Sequence, residues 1–279
     1  MSDRVRLGGM ALENGVLVHG PSYWACAVRT DDGELKVASG RKPLRAAGVE
    51  PALLRGPARL AEVFALLPAV RRRLPEARFP YERPGVAAAL AGSAATVRAI
   101  RESRLAPLAQ ESLAALFAAA PAALALRGSA LAEYHGAEHV SIGSYEHDEP
   151  RPREHERCGS HLVGPLLVTS VAGSLLARAA PPHLRLLARA GAAVGAMTTS
   201  VELFGWMLRN AGHPVARALA RPGHELQHRV LTSEPTREQL EVANAALAEC
   251  LRLEESGEDP SLQSAANGGS GNQEEAPPA

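Results

Sequence analysis

Hydrophobic and polar positions change their period once along the chain, near residue 43. Before it the spacing is that of strands. Val16-Leu17-Val18 is a short apolar run, and Gly20-Pro21 turns the chain. Trp24 to Val28 follows as a second strand, Asp32-Gly33 as a hairpin turn, and Leu35 to Ala38 as a third strand of alternating polarity. Gly8-Gly9 and Gly15 read as turn punctuation, since no GxGxxG or Walker spacing accompanies them. After residue 43 the spacing is helical. Residues 51–70 are apolar on one side and carry Arg55, Arg59 and Glu62 on the other, ending in Arg71-Arg72-Arg73. Residues 75–84 form a Pro- and Arg-rich loop. Four further helical stretches are Val86–Val97, Ser112–Leu126 (interrupted by Pro121), Leu162–Ala177 and Leu184–Leu208. Thr236-x-x-Gln239 after Pro235 is a capping box. It opens an amphipathic helix whose stripe is Leu240, Ala243, Leu247, Cys250 and Leu251. From Glu254 the period is lost in Ser, Gly, Asn, Glu and Pro, the composition of a disordered tail.

These elements predict an α+β fold, mainly α. A small N-terminal β-hairpin module (1–42) sits on an Ala-rich helical bundle (43–253), and residues 254–279 form the tail. A helix that spans a bilayer needs about 20 apolar residues. The uncharged stretches approach that length without reaching it, which leaves a soluble bundle and a membrane-embedded or membrane-associated one both open. Glu202, inside the 184–208 stretch, is an ordinary surface residue in the first case and a functional carboxylate in the second.

Composition narrows the function classes. Lys plus Arg and Asp plus Glu both number 30, so no global field draws the chain to nucleic acid. Aromatic residues make up only 4%, too few for a base-stacking surface. Three widely spaced cysteines fit a reducing compartment better than a disulfide framework. The opening MSDRVRLGGM lacks the apolar core of a cleavable signal, so the N-terminus is expected on the cytoplasmic side.

The chemistry is concentrated in residues 134–159. His135 and His139 are one helical turn apart and Glu138 lies beside them, giving H-x-x-E-H. Two neutral imidazoles at that spacing can chelate one divalent ion, and the carboxylate can serve as a base. His155 and Cys158, an H-x-x-C pair, would complete a four-coordinate shell, with zinc favoured by ligand softness. On the enzyme reading Glu138 is catalytic and His135, His139, His155 and Cys158 are the metal ligands. On the alternative, the same cluster is a structural metal site or hydrogen-bonded knot in a membrane-associated scaffold, with Arg153, Glu154 and Arg157 as loop-ordering charges. His147 and His161 flank the cluster as solvated or supporting groups. The remaining histidines, His19 among them, read as surface.

Several motifs in order resemble the bacterial DUF1385, or YqhQ-like, family from Leu7 to about residue 253. They are Gly8-Gly9-Met10-Ala11 with Gly15 through Pro21, then Ala27-Val28-Arg29 with Asp32-Gly33-Glu34. His135 through His139 follows with Tyr145-Glu146, and His155 precedes Arg157-Cys158-Gly159. Pro222-Gly223, Leu226-Gln227 and Thr232 through Pro235 close the series. Met10 and Asn14 depart from the family's Gln and Glu. The resemblance implies a polytopic inner-membrane protein and a metal-dependent enzyme, possibly of hydrolase type, with no substrate attached to it.

Overall fold

The computed structural model describes residues 4–258 except 47, 50 and 51; most of the expected tail, 259–279, lies outside the described residues. Four strands, β1 (Gly8–Leu12), β2 (Gly15–His19), β3 (Tyr23–Arg29) and β4 (Leu35–Arg41), form one antiparallel meander in the order β1-β2-β3-β4. β1 is a strand the sequence pattern concealed, because its glycines read as turn signals. Gly8 and Gly9 are paired with His19 and Val18 of β2. Their lack of a side chain serves close approach: a Cβ at Gly9 would run into the Glu138 carboxylate. Gly15 opens β2, where a Cβ would strike the Ala27 carbonyl.

The helices are α1 (Ala52–Arg73), α2 (Pro84–Glu102), α3 (Pro107–Leu126), α4 (Ala130–His147), α5 (Val163–Arg178), α6 (Arg185–Arg209), α7 (Pro214–Leu226) and α8 (Arg237–Ser256). The molecule is thus mainly α, with one small N-terminal sheet. Residues of β2 and β3 alternate between two cores. Val16, Val18, Ala25 and Ala27 face Tyr134, Ala137 and Ile142 of α4 and Val242, Ala243, Ala246 and Cys250 of α8. Leu17, Trp24, Cys26 and Val28 face Leu66, Val70 and Leu74 of α1 together with Phe79. Burial on both faces explains why these strands are apolar throughout. We call this three-layer unit the base.

The capping box at Thr236 and Gln239 opens α8, with both reciprocal bonds formed. The buried face of α8 runs through Val242, Ala243, Ala246, Leu247, Cys250 and Leu253; Leu240 and Leu251 lie at its half-buried margin. The helix also continues past the expected start of the tail to Ser256. Glu254 accepts hydrogen bonds from the Ser22 and Tyr23 amides at 2.7 and 2.8 Å, which ties the helix end to the β2–β3 turn.

α2 with α3, and α5 with α6, form two helical hairpins joined mainly through α3 and α5. Their burial is the reverse of the base. Leu116, Leu124, Leu175, Leu176, Leu186 and Leu187 are all more than half exposed. Residues 107–126 and 159–178 are long and apolar enough to cross a membrane by length and composition, and only 28% and 22% of them is buried. Polar groups join the hairpins at one end: Arg178 donates to Gln110 and Ser174 to Glu111, which also pairs with Arg101 inside the first hairpin.

Candidate metal centre

α4 carries the cluster and is buried on almost every side, from Leu131 and Tyr134 through Glu138 and His139 to Ile142 and Gly143. Such a helix has no polar face to show, which is why its sequence lacks an amphipathic stripe. It is seated by close contacts. Gly136 meets the Ser233 carbonyl where any side chain would collide, and the Ser233 amide donates to Ala132 O at 3.0 Å. The spacing between His135 and His139 is therefore fixed against the 232–235 segment, and this gives the glycine of HGAEH its reason.

Three side chains converge. Ligand atoms of His135, His139 and Cys158 all lie within 4.8 Å of one another. The Cys158 Sγ is 3.7 Å from His135 Nε2, against a separation of about 3.6 Å expected for sulfur and nitrogen ligands on one tetrahedral zinc. Each imidazole is oriented from behind. His135 Nδ1 donates to Leu231 O at 2.8 Å, and His139 Nδ1 donates to Arg153 O at 2.6 Å. A carbonyl can only accept, so both protons sit on Nδ1 and each Nε2 is left as an acceptor, that of His135 facing the Cys158 thiol. Burial pushes the His139 imidazole below its ordinary pKa, favouring the neutral, ligating form.

Glu138 is buried at 7% exposure, and among the described residues no protein donor bonds its carboxylate. Burial raises its pKa, with the His135 and His155 charges opposing the rise. It lines an open cavity of about 1560 Å³ together with His135, His139 and Cys158. A buried, unpartnered carboxylate facing a cavity beside three convergent soft donors fits a cationic group there.

His155 stands apart from the trio. Its ring is 5.5 Å from that of His139, but its Nε2 is held by Glu146 Oε2 at 3.1 Å. Glu146 also pairs with Arg157. Burial would lift the Glu146 pKa, yet the His155 bond and the Arg157 charge outweigh it and the net shift is downward. The structure thus brings three of the four expected ligands together and ties the fourth to a carboxylate. His161, expected as a flanking group, is buried against Gln227, 3.1 Å from its Nε2. Glu202 is remote, paired with Arg55 at 3.3 Å between α1 and α6. Asn14 serves the base: it bonds Arg29 O, Glu76 O and the Arg78 amide. His19, expected at the surface, is half-buried, with its pKa lowered to about 4 by burial and by Lys42.

Sequence reasoning missed the parts that hold the site. α7 runs into a π-helical turn, Gln227–Leu231, which presents the Leu231 carbonyl to His135. Gln227 is fully buried; its Oε1 accepts from the His155 amide at 2.8 Å and its Nε2 reaches His155 O and Ser160 Oγ at 3.1 and 2.7 Å. It pins the loop that delivers Cys158. Gly223 makes room for this contact, since a Cβ there would meet Ser160 and His161 backbone. The one signal available was the run Pro222-Gly223, Leu226-Gln227, Thr232 through Pro235, which carries no chemistry on its face.

All of this apparatus falls within residues 129–253, which match the family model described as "Protein of unknown function (DUF1385)". Through that segment the chain is similar to the DUF1385 family. The matched segment runs from the N-cap of α4 into the last turn of α8 and contains the trio, Glu138, Glu146 and Gln227. The chain is also 33% identical over 130 residues to "Uncharacterized protein YqhQ" of Bacillus subtilis (strain 168), covering 44% of this chain and 41% of that protein. The chain therefore spans about two fifths of the length of this relative. No solved structure matches it.

Proposed function

We propose that this protein is a zinc-dependent hydrolase-type enzyme whose two helical hairpins lie in a membrane, with the cluster where base and hairpins meet. One observation carries the catalytic part: three donors converge, and beside them stands a buried carboxylate with no protein partner, open to a cavity. His135, His139 and Cys158 would hold the ion. When bound, zinc supplies Lewis acidity and brings a water within reach of deprotonation near neutral pH. Three protein donors leave one position for water or substrate, whereas a fourth protein donor would make the shell a closed, structural one. Glu138 takes a proton from that side of the cavity and returns it to the leaving group, a role its raised pKa suits. His155 stays with Glu146 and Arg157 and orders the loop that carries Cys158. The outward-facing leucines of α3 and α5 support the membrane part, since soluble proteins rarely expose so many together.

Metal analysis of the full chain, purified in detergent without chelators, tests the first part. One zinc per chain is expected, and cobalt substitution should add a thiolate-to-cobalt charge-transfer band that Cys158→Ala abolishes. A chain that neither retains zinc nor takes up cobalt overturns the proposal. Glu138→Gln should keep the metal and lose turnover on an ester and phosphoester panel. Release of the protein into the soluble fraction on lysis without detergent would remove the membrane part.

A further inference from the structure

The cavity has two kinds of wall. Part of the lining is the cluster; another part is Val86 and Leu90 of α2, Ala122 of α3, and Phe204 and Leu208 of α6. Three arginines, Arg6 ahead of β1, Arg59 of α1 and Arg209 at the end of α6, also line it. Among the described residues none of the three has an acidic partner, whereas Arg157 of the same lining is paired with Glu146. The acidic groups of the same wall are committed or facing the cluster: Glu62 pairs with the buried Lys42, and Glu138 lies beside His135. An apolar slot adjoining unpaired guanidinium groups complements a molecule that is apolar at one end and anionic at the other.

We propose that the cavity binds an amphiphile with an anionic head group, its chain between α2, α3 and α6 and its head on Arg6, Arg59 and Arg209. This rests on the hydrolase reading only for what becomes of the ligand; recognition uses different residues. Arginine suits the head because its planar fork meets phosphate or carboxylate oxygens two at a time. The chain would enter from the exposed apolar faces of the hairpins, so the ligand is taken from the bilayer and not from water.

The test uses the full chain in nonionic detergent, titrated with dioctanoyl phosphatidic acid, dioctanoyl phosphatidylcholine and inorganic phosphate, with binding read by native mass spectrometry. Phosphatidic acid should bind at least about 10-fold tighter than either of the others, a difference within reach of two or three charge-assisted hydrogen bonds. Replacing Arg6, Arg59 and Arg209 together by Ala should bring the two lipids within about 2-fold, and Lys at the same positions should restore part of the preference. Ala122→Trp should weaken both lipids and leave their ratio intact. Equal binding of the two lipids by the native chain overturns the proposal, as does inorganic phosphate binding as tightly as phosphatidic acid. Indifference of the ratio to the arginine replacement would do the same. His135→Ala separates the two readings: it should lose zinc and keep the lipid preference, so either can fail alone.

Discussion

The base and the hairpins solve opposite problems with the same residues. In the base, β2 and β3 bury Leu17, Trp24 and Val18 almost completely between α1 on one side and α4 with α8 on the other. In the hairpins, leucines point outward, while glycine, alanine, serine and threonine meet between the helices. Gly173 sits against Ala192, and Thr169 shares a 2.8 Å hydrogen bond with Ser200. The first arrangement draws its stability from removing apolar area from water. On the membrane reading proposed above, the second gains little from water and relies on close backbone approach and interhelical hydrogen bonds, as helices packed in lipid do. The cavity lies along the seam between the two, which is where a molecule with one apolar and one charged end would be held by both.

Substitutions should expose this contrast. Trp24→Ala in the base should cost about 3–5 kcal/mol, read as thermal unfolding of the sheet signal in detergent. Leu176→Ala or Leu186→Ala, which remove comparable apolar groups from the hairpins, should cost less than about 0.5 kcal/mol in the same assay. A large loss at Leu176 would mean the hairpins are covered by protein. The next effect is pH-dependent and confined to the base. The His19 imidazole has its pKa lowered to about 4 from an ordinary value of 6.5. An unfolded chain takes up a proton below pH 6.5 that the folded one refuses until about pH 4. Stability from this group is therefore complete above 6.5 and falls through that window, by roughly 1 kcal/mol per unit at most. His19→Gln should flatten that stretch of the profile.

Gln227→Ala comes third. It leaves the His155 amide and the Ser160 hydroxyl without their partner inside the protein, at about 1–3 kcal/mol. It should also lower zinc retention, because Cys158 is delivered by the same loop. Unchanged zinc retention in a destabilised Gln227→Ala would confine that side chain to packing. The smallest effect is Thr236→Ala, which removes the N-cap acceptor of α8 for about 1 kcal/mol with zinc retention unaffected.

What the sequence disclosed follows from where side-chain identity matters. Period-2 and helical spacing found β2, β3, β4 and α1, α2, α3, α5 and α6, the i,i+4 pair His135 and His139 marked α4, and Thr236 with Gln239 located α8. β1 escaped because glycine carries no apolar pattern, and its glycines were needed for the nearness of Glu138 and His19. α7 and its π turn escaped because Pro222-Gly223 reads as a break. The convergence of His135, His139 and Cys158 was legible from i,i+4 spacing and the H-x-x-C pair. The separate pairing of His155 was not, since nothing local marks Glu146, nine residues earlier, as its partner. Nor were the carbonyls of Leu231 and Arg153, which any residue could supply.

The clasp between Glu254 and the amides of Ser22 and Tyr23 joins the beginning of the chain to a helix made near its end. Strands made first keep one face open until the helix made nearly last arrives to cover it. Both hairpins lie between these partners in the chain, so they are made before the sheet has that cover. The core of the base can therefore be complete only once both hairpins have been made.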